Sequence, residues 1–217
     1  MSVTTSINPY LRGSATVVYN SAPTGNTAAY FPGITGSYLN LGSSSPAHFD
    51  TSTSNLFVEC WFYSVGAGPG GDGRLQHMAA VSGPTVTTTE VWGLMYYNTF
   101  NAQFYMYNTS SSAFTASSTF SFQYGNWYHL AGSWNYQTKT VYAFANGNVS
   151  TGAVLTGTPR AFDPTRIFQV GTDCTNLNTA YGYIRDLRVI QGGIVPTTSF
   201  TPQAAPWALG AIPSYVT

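Results

Sequence analysis

Apolar and polar residues alternate with a period of two through much of this chain, and the pattern is clearest between Trp127 and Gly147. There Tyr128, Leu130 and Gly132 interleave with Trp127, His129, Ala131 and Ser133. Thr140 to Ala145 follows, rich in the β-branched and aromatic residues that suit a pleated, half-buried surface. Asn135, Gln137, Thr138 and Lys139 separate the two runs, and Asn146-Gly147 opens the next turn with a dipeptide that accepts positive φ. The segment predicts a β-hairpin.

The same reading applied along the chain predicts strands at Ala15 to Tyr19, around Pro32-Gly33 within Ala28 to Gly42, and at Asn55 to Ser64. Further strands are predicted at His77 to Ser82, Val91 to Tyr97, Gln103 to Tyr107, Ala113 to Phe122, Arg166 to Gly171 and Gly182 to Gln191. Pro32 removes a ladder donor and should mark an edge or a bend. In Asn55 to Ser64, Val58, Cys60 and Phe62 take one face, and Phe57, Glu59, Trp61 and Tyr63 the other. Two largely apolar faces predict a central strand, with Trp61 and Trp134 buried. Regular strand spacing with turn residues between predicts an all-β, two-sheet antiparallel sandwich.

Several of these stretches resemble one family. Trp-Tyr-His-Leu-Ala, a turn, and Val-Tyr-Ala-Phe-Ala-Asn-Gly are similar to the central hairpin of laminin-G-like domains. The Tyr-Phe strand leading to Ser-Tyr-Leu-Asn-Leu (residues 30–41), Phe-Val-Glu-Cys-Trp, and Gly-Tyr-Ile-Arg-Asp-Leu-Arg-Val before Phe200 to Pro202 extend the likeness. It implies a concanavalin-A-like jelly roll over residues 27–207. Residues 1–26 are then an N-terminal arm or edge strand, and 208–217 a C-terminal extension. The closing strand with its Thr/Pro tail is similar to the version in structural proteins of large algal DNA viruses and in phage virion proteins. That implies a non-enzymatic virion protein, assembled in host cytoplasm, packing on other virion proteins or copies of itself. The alternative it implies is a carbohydrate-binding module for host glycans.

Composition narrows the choice. Only 6% of the 217 residues are charged, and seven basic residues balance seven acidic ones. Phosphate neutralisation has little to work with, so nucleic acid is not an expected partner. A charge-poor surface also gives little protection against association. Tyr10, Leu11, Val17, Val18, Leu209, Ile212 and Tyr215 outside the sandwich stretch are expected to pack on it or on neighbours. No run is long and apolar enough for a membrane span, and no leader of basic then apolar residues is seen. Without that sign of an oxidising compartment, Cys60 and Cys174 read as free thiols more readily than as a disulfide.

Glucanases of this fold need two carboxylates on one strand, and no predicted strand here holds two, so no catalytic residue is expected. Gly66 to Gly73 lacks the GK[ST] of a phosphate cradle and reads as a surface loop. His129 reads as a packed or hydrogen-bonded strand residue. Aromatics in excess of core needs suggest sugar stacking or a protein interface: Trp92, Tyr96 and Tyr136, with Tyr97, Tyr105 and Tyr107. Asp186 and Arg188 share a face of the predicted closing strand, with Arg185 opposite, and serve either sugar hydroxyls or a structural ion pair. No cofactor is required. Calcium is possible at Asp173 and Asn176, where Asp173 could equally cap a turn.

Overall fold

A computed structural model describes residues 10–12, 16–22, 26–42, 51–68, 75–82, 90–97, 101–161, 167–173, 175–204 and 213–216. Among them there is no helix. The first half supplies β1 (Tyr10–Arg12), β2 (Thr16–Ala22), β3 (Asn26–Pro32), β4 (Tyr38–Asn40), β5 (Leu56–Ser64), β6 (Leu75–Ser82), β7 (Trp92–Tyr97) and β8 (Asn101–Tyr107). The second supplies β9 (Ala113–Thr119), β10 (Trp127–Asn135), β11 (Thr140–Ala145), β12 (Asn148–Val149), β13 (Ala153–Val154), β14 (Ile167–Val170) and β15 (Tyr181–Gln191). They form two antiparallel sheets, the sandwich that the strand spacing predicts. One has the order β1-β4-β14-β6-β7-β8-β9; the other runs β12-β11-β10-β5-β15-β3-β2, with β13 also paired to β11.

The predicted hairpin is β10–β11, with Asn135 opposite Thr140 and Leu130 opposite Ala145. Pro32 closes β3, where its missing N–H does least harm. β5 lies between β10 and β15 and is the central strand its two apolar faces predict. Its inner face, Val58, Cys60 and Phe62, meets Trp92, Leu94 and Tyr96 of β7 and Phe104 of β8 in one core with Leu130 and Trp134. Gly132 makes room there: a Cβ would stand 2.2 Å from the Phe104 ring. Trp134 is fully buried and donates its indole N–H to the Thr51 carbonyl at 2.9 Å. Cys60 is a buried free thiol, and Cys174 lies outside the described residues.

Three expectations about aromatics need correction. Trp61 is only partly buried, because its position in β5 turns it away from the second sheet. Trp92 and Tyr96, read as exposed, are 0% and 1% exposed. They alternate with Gly93 and Met95 and share the inward face with Leu94, so neither offers a ring to a ligand from this position.

Candidate functional site

The outward face of the β5 sheet carries the unusual chemistry. Parity places Phe57, Glu59, Trp61 and Tyr63 of β5 there, and register brings their neighbours alongside. Tyr63 pairs with Trp127 on one side and Tyr183 on the other, and Tyr183 pairs with Tyr30. The result is a row of four aromatic rings crossing β3, β15, β5 and β10. Consecutive centroids are 4.9, 5.9 and 5.5 Å apart. All four residues are partly exposed, as is Trp61 in the next row. Interplanar angles of 40°, 77° and 60° mean that neighbouring rings are tilted against one another rather than coplanar.

A bulge in β15 completes this row. Arg185 pairs with Trp61 and Arg188 with Glu59, so two residues, Asp186 and Leu187, stand opposite Cys60 alone. Asp186 takes the left-handed conformation (φ 51°) that accommodates the extra residue. The phase of the strand is thereby reset, and Arg185 and Arg188, an odd number of positions apart, both face outward. This corrects the expected placing of Arg185 on the face opposite Arg188. The Arg185 guanidinium lies over Trp127 at 4.5 Å and Trp61 at 5.5 Å, within cation–π range. Its Nη1 is 3.7 Å from Asp186 Oδ2. Burial lowers the Arg185 pKa from the usual guanidinium value, and the Asp186 charge opposes that fall.

Further along the same face the chain covers itself. From Gly193 onward the tail crosses the sheet: Asn55 Nδ2 donates to the Gly193 carbonyl at 2.6 Å and Ser133 Oγ to that of Pro196 at 2.6 Å. Phe200 N–H donates to the Gly147 carbonyl at 3.0 Å. A Cβ on Gly147, whose φ is +77°, would fall 1.9 Å from the Phe200 carbonyl oxygen, so only glycine lets the tail lie this close. Phe200 stacks on Tyr215 at 4.1 Å, and both rings meet Phe57 edge-on. Beneath them Glu59 is fully buried. His129 Nε2 lies 2.8 Å from Glu59 Oε2, Tyr215 Oη donates to the same oxygen at 2.8 Å, and Arg188 Nε and Nη2 both donate to Oε1. Arg188 therefore pairs with Glu59. His129 is the hydrogen-bonded strand residue that the sequence suggests.

The other sequence-derived residues lie elsewhere. Tyr136 follows the far end of β10, nine residues from Trp127 and so ~30 Å away along the strand. It packs against the main core. Tyr105 is 5% exposed, and Tyr107 lies under the Arg160 guanidinium at 5.4 Å. Asp173 has both oxygens engaged: Oδ1 accepts from Thr175 N–H and Oγ1, and Oδ2 from Asn178 Nδ2. Asn176 accepts from Gln169 through Oδ1 at 3.2 Å. This is the turn-capping arrangement that the sequence offers as the alternative to a calcium site. Tyr30, Trp61, Tyr63, Trp127, Tyr183 and Arg185 were not among the predicted site residues. The outward parity of Trp61 and Tyr63 in β5 was the signal that pointed to them.

Residues 32–196 match the laminin G family of the concanavalin A-like lectin/glucanases superfamily, and the chain belongs to that family. No curated protein matches the sequence. Among solved structures it is similar to domain 4 of AbnA, an extracellular arabinanase from Geobacillus stearothermophilus, in complex with arabinotriose. Identity is 16% and the TM-score 0.55, over 83% of this chain and 76% of that one. It is also similar to the CBM40 of Ruminococcus gnavus IT-sialidase bound to α2,3-sialyllactose, at 11% identity and a TM-score of 0.51, over 65% and 77%. The botulinum neurotoxin type G receptor binding domain shares 10% identity at a TM-score of 0.55, over 89% of this chain and 43% of that one. At these identities the likeness is one of fold: a lectin-like β-sandwich with carbohydrate-binding modules among its neighbours.

Proposed function

We propose that the chain is a non-catalytic carbohydrate-binding module and that the open half of the β5 sheet is its binding face. The observation that carries this is the partly exposed row Tyr30–Tyr183–Tyr63–Trp127, with Trp61 beside it. Large amphipathic rings left in water cost hydration free energy, and sugars match them, with apolar C–H faces and hydroxyls for the phenol tips. The carboxylate beneath the face, Glu59, is held by His129, Arg188 and Tyr215, which suits structure rather than proton transfer to a glycosidic oxygen. A role in a virus particle, with assembly in host cytoplasm, rests on the closing-strand resemblance. The tail residues Tyr215 and Val216 pack on the chain's own sheet, which weighs toward the glycan reading. Titration of oligosaccharides against the intact chain, followed by tryptophan fluorescence and calorimetry, is the test. Binding should be lost in Trp127→Ala and kept in Tyr136→Ala; loss in the second variant alone would place the site elsewhere.

A further inference from the structure

Resting on that reading, we propose that the open face selects uncharged oligosaccharides and that Asp186 is the residue that sets this preference. The row of rings spans three inter-strand gaps, ~14 Å, long enough for a short oligosaccharide rather than a single sugar. Among the described residues, two cations border it. Arg188 is balanced by Glu59 under the tail. Arg185 stands beside the rings, its side chain 13% exposed, next to the Asp186 carboxylate at 3.7 Å, itself 15% exposed. Among the described residues the face therefore carries no net charge, and the one cation they place at the rings is already committed to two indole faces and a carboxylate.

The conformation of Asp186 strengthens the case. Its φ of 51° is one that glycine adopts without cost and that asparagine tolerates as well as aspartate. What aspartate adds at this position is its negative charge. A carboxylated or sulfated sugar approaching Arg185 would meet that charge at once, a repulsive element that rejects acidic ligands while leaving uncharged ones untouched. The rings supply affinity that does not depend on charge, so binding of the preferred ligands should be insensitive to salt.

The test uses the intact chain and two panels: uncharged arabino-, xylo- and cello-oligosaccharides, and acidic oligogalacturonides with sialyllactose. Calorimetry at low and high salt on the parent, Asp186→Asn, Asp186→Gly and Trp127→Ala reads out both the inference and its basis. The parent should bind an uncharged ligand at the same affinity in both salts. Asp186→Asn and Asp186→Gly should keep that binding and gain about tenfold for acidic ligands, a gain that high salt removes. Tighter parent binding of acidic ligands, or an unchanged acidic-to-uncharged ratio in both Asp186 variants, overturns the inference and leaves the carbohydrate reading standing. Absence of binding to either panel, or full binding by Trp127→Ala, overturns the carbohydrate reading and this inference with it.

Discussion

Phe57 and Tyr63 lie six residues apart on β5 and point from the same face of the same sheet, yet one is core and the other is surface. The difference comes from the tail. Val195, Phe200, Tyr215 and Val216 close over Phe57, Ala131 and Phe144, making a second apolar cluster outside the sandwich. They stop short of Tyr63, Trp127, Tyr183 and Tyr30. Both halves are aromatic, so composition does not distinguish a covered face from an open one. What distinguishes them is whether the chain supplies its own cover.

The comparison can be broken most forcefully at Phe57. Phe57→Ala should cost about 3–5 kcal/mol in urea unfolding, the range for buried aromatics truncated to alanine. A loss no larger than that of Tyr63→Ala would erase the distinction between the two halves. Arg188→Leu leaves the Glu59 carboxylate buried without its guanidinium and should cost about 3 kcal/mol. An unchanged denaturation midpoint would mean that the cluster does not secure the tail.

Tyr215→Phe removes one hydroxyl bonded to a charged group and should cost about 1–2 kcal/mol. The same residue gives a pH signature. Burial, the Glu59 charge and the hydrogen bond to Glu59 raise its pKa above the tyrosine range. The unfolded chain releases that proton near pH 10, where the folded chain still holds it. Stability from this group is thus complete below about pH 10 and falls as pH rises further. Burial raises the Cys60 thiol in the same direction, so the decline begins at a pH nearer the ordinary thiol value. Melts across the alkaline range should show a shallower decline in Tyr215→Phe than in the parent. Smallest in stability is Trp127→Ala on the open half, expected to cost about 1 kcal/mol or less because the ring is only partly covered. Its effect should appear in ligand binding instead.

The alternation in β5 and the β10–β11 hairpin were legible from local sequence, because strand parity needs only a few neighbouring residues. So was the inward set Val58, Cys60 and Phe62. Trp92 and Tyr96 share the parity of Leu94, which places them inward; an excess of aromatics over core needs carries no information about face. The bulge was not legible. Nothing in Arg185-Asp186-Leu187-Arg188 announces an extra residue, since the reset depends on which positions of β5 lie opposite. The cover over Phe57 was equally hidden, because it comes from Phe200 and Tyr215, far along the chain. Both features depend on long-range register, which periodicity does not report.

The separations within the Glu59 cluster also bear on time. Glu59 meets His129 across 70 positions, Arg188 across 129 and Tyr215 across 156. The β10–β11 hairpin closes across a handful. Closing long loops before their contacts form is entropically costly, so the clasp at Glu59 should assemble after the hairpin and release before it. Amide exchange should then be faster at Phe200 and Val149, whose N–H groups bond across the tail, than in the centre of β10. Each such release bares Phe57 and Phe144 while the aromatic row remains intact. The first species to aggregate on heating would therefore be one whose open face is still folded.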